Sequence, residues 1–308
     1  MKSVKASAPA TVANVSCGFD IFGFAVGEPA DEVEVVLTDE PGVVIRGIFG
    51  DQGRLPLEAS RNTAGVGVQA YLKATGSPYG AKITLHKNLP LGSGMGSSAA
   101  SSAAALVAIN HLHGNPLSRA ELLPFAMEAE RVACGSAHAD NVAPSLLGGF
   151  VLIRGYEPLD VASIPTPPDL YCTLVHPHLE LKTEDSRKVL KSNIPLRDAV
   201  TQWGNIAGLV VGLMKPDYDL ISRSLHDVVA EPIRSALIPG FAEMKAAAID
   251  AGALGCGISG SGPTIFALSK QKDIAQTVGD RIQKEFERIE LKSDVFVSAV
   301  NQQGAKII

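Results

Sequence analysis

The amino-acid sequence predicts an α+β protein built as two domains, and three stretches carry that prediction. Residues 82–87 alternate apolar and polar side chains as a half-buried strand does, and a glycine loop and an alanine-rich helix follow at once. Residues 241–300 read as helix, strand, strand, helix, strand, a ferredoxin-like half. Pro165, Pro167 and Pro168 break the chain between the two. The expected domains are therefore residues 1–165, which carry the glycine loop, and residues 166–308. A chain of 308 residues with 46% hydrophobic content has ample core and by composition alone suits one large domain or two closely joined ones.

Taken in order, residues 4–6 start a strand that Pro9 is expected to interrupt. Residues 10–26, ATVANVSCGFDIFGFAV, set Asn14, Ser16 and Asp20 among valines and phenylalanines, with Gly18 and Gly23 allowing tight bends. Polar groups in so apolar a setting need partners. A loop whose Asx side chains bond their own backbone is one answer, and Asp20 stands out as a candidate for function. Residues 32–37 and 42–47 are strands around a Pro-Gly turn, and residues 62–75 form a helix. After the loop and its helix, Ser118 to Glu121 forms a capping box. It opens a helix with Leu122, Leu123, Phe125, Ala129 and Val132 on its apolar face and Pro124 in its first turns. Glu128 and Glu130 lie near that helix's end, where the dipole disfavours acids, so each has either a cation partner or plain exposure.

His138, Asp140 and Asn141 then fall within four residues, a pattern open to metal binding, acid–base work or a simple helix cap. Beyond the proline break, residues 170–176 are a strand. Residues 183–186 cap a short helix that carries Thr183 and Arg187 on one side. Residues 198–215, with Trp203, and 219–227 are helical, and Glu231 to Arg234 follows. Strands at 254–258 and 264–268 enclose a second glycine segment, GCGISGSGPTIFAL. A helix over 273–287 and a strand over 294–300 end the regular structure, and no internal repeat is present.

The chemistry centres on residues 90–108, PLGSGMGSSAASSAAALVA. Residues without Cβ let a backbone approach a ligand closely, and a helix N-terminus attracts anions through free N–H groups and its dipole. Strand, glycine loop and helix together read as a phosphate cradle. A small-residue helix packed tightly behind a loop is the plainer alternative. The cradle is neither common phosphate loop. A Walker A loop ends in Gly-Lys-Ser/Thr, and no lysine lies between Lys87 and Arg119; the dinucleotide fingerprint needs G-x-G-x-x-G, and the spacing here is G-x-G-x-G. On the cradle reading, Gly94→Val or Gly96→Val is expected to abolish phosphate-ligand binding while the fold survives.

Composition excludes several classes. A net charge of −5 offers no general electrostatic case for nucleic acid. Cys17, Cys134, Cys172 and Cys256 form no C-x-x-C pair and read as free thiols in a reducing compartment. No apolar run reaches the length of a membrane helix, and the N-terminus reads as neither signal peptide nor anchor. A cytoplasmic enzyme is the expectation.

Three separated segments resemble one family. PLGSGMGSSAAS resembles the phosphate loop of the GHMP kinases, the group of galactokinase, homoserine kinase, mevalonate kinase and phosphomevalonate kinase. APATVANVSCGFDIFGFAV is similar to their N-terminal motif and GISGSGPTIFAL to their C-terminal glycine motif. GSAHADNVAPSLLGG and the NVSCGFD form of the first motif resemble the homoserine kinase branch most. The resemblance implies a ribosomal-protein-S5-like N-terminal domain, a ferredoxin-like C-terminal domain, and ATP with Mg²⁺ between them. It implies phosphorylation of the L-homoserine hydroxyl to O-phospho-L-homoserine in threonine biosynthesis.

Residue by residue, the resemblance wraps the ATP phosphates in Pro90, Leu91, Gly92, Ser93, Gly94, Met95, Gly96, Ser97, Ser98, Ala99 and Ala100. It gives the magnesium to Ser98 and Glu130. It gives the amino acid to Asn14, Asp20, His138, Asn141, Thr183, Arg187 and Arg234, with Asn141 nearest the reacting hydroxyl. Guanidinium forks suit a carboxylate, so Arg187 and Arg234 are expected there, and Asp20 on the ammonium. Asp140 stays open between helix cap, electrostatic helper and the base that some relatives use, because phosphoryl transfer depends mainly on positioning and charge stabilisation. A kinase of another small alcohol and a non-catalytic nucleotide- or amino-acid-binding regulator are the alternatives. The oligomeric state is open, a homodimer included.

Overall fold

The computed structural model describes residues 2–135 and 138–308. Ser136, Ala137 and the side chain of Cys134, parts of the expectations above, lie outside the described residues. The first half runs β1 (Ser3–Ala13), β2 (Phe22–Thr38), β3 (Val43–Phe49), α1 (Thr63–Ala74), β4 (Gly80–His86), α2 (Ser97–Leu112), α3 (Leu123–Cys134), α4 (Ala139–Leu147), β5 (Phe150–Tyr156) and β6 (Leu159–Ile164). The second runs β7 (Tyr171–Pro177), α5 (Thr183–Lys188), α6 (Leu196–Met214), α7 (Tyr218–Ser224), α8 (Glu231–Arg234), α9 (Phe241–Asp250), β8 (Gly255–Ile258), β9 (Ile265–Ser269), α10 (Lys272–Arg288), β10 (Ser293–Ala299) and β11 (Lys306–Ile307).

The first sheet has the order β11-β1-β2-β4-β3, with β5 on the early part of β2 and β6 on β5. Pro9 does not end β1, contrary to expectation. The pairing with β2 shifts register between Pro9 and Thr11, and such an irregularity absorbs a residue that cannot donate to the ladder. β2 likewise reaches back into the segment read as a loop, because residues 22–24 pair with β5 and the Phe22 and Phe24 rings pack tilted against Phe150 at 5.7 and 4.5 Å. Asn62 caps α1 by accepting from the Ala64 N–H at 3.1 Å, and α1 crosses from β3 to its parallel neighbour β4. α2 lies across this sheet with every side chain from Ala99 to Asn110 buried. Its alanines give no amphipathic stripe, and a helix buried all round needs none.

The second sheet, β10-β7-β9-β8, is antiparallel throughout. β7 supplies the strand that turns the expected helix and strand series into a complete ferredoxin-like unit, with α5 to α8 inserted after it. The two sheets are stitched together near the C-terminus. Val26 bridges Val300, Asn301 N–H donates to Ala25 O at 2.9 Å, and β11 pairs with β1. Cys17, Cys172 and Cys256 are free and buried, and burial pushes all three thiols up. No helix among the described residues is long and apolar enough to cross a membrane.

Candidate active site

Three turns, one from each sequence motif, meet around one cleft of about 600 Å³. The first follows β1. Asn14, Val15 and Ser16 take φ of 70°, 42° and 57°, and Asp20 takes 60°. Left-handed backbone is costly for a β-branched residue such as Val15. Hydrogen bonds hold it there: Asn14 Nδ2 donates to Gly260 O at 2.8 Å, the Gly18 N–H to Asn14 O at 2.8 Å, and the Asp20 N–H to Asn14 Oδ1 at 3.0 Å. Asn14 and Asp20 thereby reach the cleft wall.

The second turn is the glycine loop, with φ of 66°, 78° and 69° at Gly92, Gly94 and Gly96. The expected reason for these glycines is corrected. A Cβ on Gly94 would stand 2.4 Å from Ser259 O, and one on Gly96 would stand 2.1 Å from Thr11 Oγ1. The space is claimed by protein, so valine at either position strikes the fold itself. The third turn is that neighbour: Ser259 Oγ donates to Gly94 O at 2.8 Å and the Thr264 N–H to Ser93 O at 3.2 Å.

Gly96 is also the N-cap of α2 and supplies no capping side chain. The first-turn N–H groups and the helix dipole are thus left for an anion. Leu91, Gly92, Ser93, Gly94, Gly96, Ser97 and Ser98 line the cleft. Met95, Ala99 and Ala100, expected in the same role, are 0% exposed and pack in the core, and Pro90 does not reach the cleft wall. Met95, Ala99 and Ala100 serve the loop by packing.

Every residue expected to bind the second substrate lines this same cleft: Asn14, Asp20, His138, Asn141, Thr183, Arg187 and Arg234. Arg187 donates through Nη1 and Nη2 to the two Asp20 oxygens at 3.1 and 2.7 Å. Residues assigned to opposite ends of a ligand therefore hold each other. Arg234 is buried and donates to Ser186 O at 3.0 Å and Gly260 O at 3.1 Å. Both guanidiniums lie over the Phe19 ring, 5.6 and 5.1 Å from its centre. Thr183 Oγ1 lies 3.3 Å from Ser261 Oγ.

α3 and α4 form the facing wall. Glu130 is buried on it, whereas Glu128 is half-buried and paired with Arg131. Asn141 Oδ1 accepts from Thr11 Oγ1 at 2.7 Å, which orients the amide. His138 Nδ1 lies 3.7 Å from Asp20 Oδ2; burial pulls its pKa below the ordinary imidazole value and Asp20 opposes this. Burial first, then Asp20, pushes the Asp140 carboxyl up to about 7; Arg187 works against this and Glu130 adds to it.

Sequence reasoning missed part of the wall. Leu55, Pro56, Asn62, Leu85 and Lys87 extend it beyond the loop. Thr11, Phe19 and Tyr156, whose hydroxyl donates to Asp20 O at 2.6 Å, support it from behind. Of these only Asn62 had a local signal, as a helix cap. Among the described residues no three or more His, Cys, Asp or Glu side chains gather into a ligand cluster for a metal.

Known proteins share this fold. The family model for the GHMP kinases N terminal domain matches residues 62–149, and the model for the GHMP kinases C terminal matches residues 209–288. The chain belongs to the GHMP kinase family. It is 54% identical to a homoserine kinase of Chlorobium phaeobacteroides, with 100% of both chains covered. It is 57% identical to the homoserine kinase of Cytophaga hutchinsonii, whose crystal structure superposes with a TM-score of 0.98 over 100% of this chain and 98% of that one. Within the GHMP kinases it therefore groups with the homoserine kinases. The L. major mevalonate kinase, solved in complex with R-mevalonate, is 16% identical with a TM-score of 0.69 over 96% of each chain, a likeness of fold alone.

Proposed function

We propose that this GHMP kinase transfers the terminal phosphoryl group of ATP to the side-chain hydroxyl of L-homoserine, forming O-phospho-L-homoserine for threonine biosynthesis. One observation carries the reading. A single cleft joins an uncapped helix N-terminus, which suits phosphates, to two guanidiniums and a carboxylate, which suit an amino-acid zwitterion.

Asp20 serves two roles here. A carboxylate has about four lone-pair positions, so it holds Arg187 and still accepts from the substrate ammonium. Arg187, fixed by that pair, and Arg234, fixed by two backbone carbonyls, take the substrate carboxylate. His138 and Thr183 close the pocket around the chain of the amino acid. Asn141, its oxygen bound to Thr11, turns its amide toward the reacting hydroxyl. The α2 N-terminus and the loop backbone stabilise charge on the transferring group. The Ser98 hydroxyl and the Glu130 carboxylate are the hard oxygen donors that a magnesium ion shared with phosphates takes, and both stand on this cleft. Bound there, magnesium supplies charge neutralisation. Asp140 is a helper in the same field, its carboxyl pushed up to about 7 by burial.

We further propose a cytoplasmic setting, which the buried free thiols support, and a homodimer through α6. Leu196, Val200, Trp203, Val211 and Met214 are 41–72% exposed along one face of that helix. The assay for the main reading is ADP release with homoserine, mevalonate and galactose as acceptors, and mass spectrometry of the product. Turnover with homoserine alone supports it. Turnover only with another alcohol, or tight binding without turnover, replaces it with a sister kinase or a regulator.

A further inference from the structure

Lys87 is the last lysine before the glycine loop, and the site described above gives it no role. Its side chain is 2% exposed and pairs with Asp31, which is 0% exposed. Its ammonium has three N–H groups and three acceptors: the Asp31 carboxylate, Ser97 O at 2.8 Å and Ser101 Oγ at 2.7 Å. None is left over for a phosphate, unlike the lysine of a Walker A loop. The other Asp31 oxygen accepts the Asn88 and Leu89 N–H groups at 2.8 and 3.0 Å. Asn88 and Leu89 are the entrance to the glycine loop, and Ser97 and Ser101 are its exit.

We propose that Asp31 and Lys87 form a clasp across the neck of the phosphate loop, and that Lys87 is a positioning residue for nucleotide binding. Asp31 belongs to β2, so the clasp fixes both ends of the loop against the central sheet. The arrangement separates two jobs that a Walker A lysine combines: charge toward the nucleotide comes from α2 and loop N–H groups, and loop shape comes from a buried ion pair. The inference rests on the nucleotide reading of the loop.

Removing one partner strands a buried charge and risks unfolding, so the test uses Asp31→Asn/Lys87→Met, which removes both charges at similar volume. The readouts are ADP affinity by calorimetry and amide exchange of residues 92–98 in the full chain. ADP affinity is expected to fall about tenfold or more, as loss of charge-assisted bonds implies, with faster loop exchange and a melting temperature near the parent's. Parental affinity and parental loop exchange in the folded double variant overturn the clasp. Ser101→Ala removes one acceptor from Lys87 and covers the case in which the double variant does not fold. A two- to fivefold loss of ADP affinity supports the clasp, and no loss overturns it. If the parent chain itself binds no ADP, the kinase reading fails instead, and loop exchange alone decides the clasp.

Discussion

Asp140 shows at residue scale what burial does to a functional wall. Its folded pKa stands at about 7 against 3.8 for the free side chain, so between those values the folded chain keeps a proton that the unfolded chain has lost. Stability then falls as pH rises through that window, the reverse of the usual paired aspartate. In metal-free protein, Asp140→Asn and the parent should melt alike near pH 4, and the variant should be the more stable by pH 8. Melting curves in chelator across that range measure it, and parallel curves would mean that Asp140 is already ionised in the fold. Arg234 carries a second prediction. Arg234→Leu should raise the homoserine KM about ten- to a hundredfold, the worth of a charged hydrogen bond, and raise that of homoserine methyl ester much less. The same change also uncovers Ser186 O and Gly260 O, so the melting temperature should fall too. Equal KM losses for acid and ester would leave Arg234 as a buried brace only. These residue types were legible in the sequence as charges suited to a zwitterion. Their pairing was not, because Asp20 and Arg187 are 167 positions apart and meet only through the packed turns.

Among the elements, strand, glycine loop and α2 were legible because period and composition agree over a short stretch. What each glycine faces was not legible, since Ser259, Gly262 and Thr11 arrive from distant parts of the chain. Gly94 and Gly96 therefore predict loss of the fold rather than of binding alone. Gly94→Ala places a Cβ 2.4 Å from the Ser259 backbone oxygen, and Gly96→Ala places one 2.1 Å from the Thr11 hydroxyl that orients Asn141. Gly114 is the control: its φ is also positive, at 82°, but a Cβ there would meet nothing within 4 Å. Gly114→Ala should cost only about 1 kcal/mol, the backbone penalty alone. Chemical denaturation of the three variants tests this, and similar midpoints for all three would mean that the interlocked turns yield more easily than their contacts imply.

At the scale of the whole molecule, β8, β9 and β10 of the second sheet were legible because they and their helices are regular and short-linked, whereas the place of β7 between β10 and β9 was not, since α5 to α8 separate it from them in the chain. The return of residues 301–308 to the first sheet was not. β11 is two residues long, too short for any period, and its partner β1 lies at the other end of the chain. The exposed face of α6 is the remaining large feature, and its pattern is tested by asking what covers it. Ala199, Gln202, Leu209, Gly212 and Leu213 hold the helix to the body, while Trp203 is 60% and Leu196 72% exposed on the other side. In an antiparallel pairing of two copies about a two-fold axis near residue 205, Leu196 meets the partner's end of the helix near Met214. Trp203 then lies over the small residues Ala207 and Gly204, where a Cβ at Gly204 would meet nothing within 4 Å. A standard interface buries roughly 800 Å² per partner, more than one helix supplies, so exposed Val189 and Ile194 beside it would have to join. Trp203→Glu should convert the protein to monomers in sedimentation equilibrium, with parental turnover because the cleft lies elsewhere. A parent that sediments as a monomer at micromolar concentration, or a variant that stays dimeric, would remove α6 as the contact between copies.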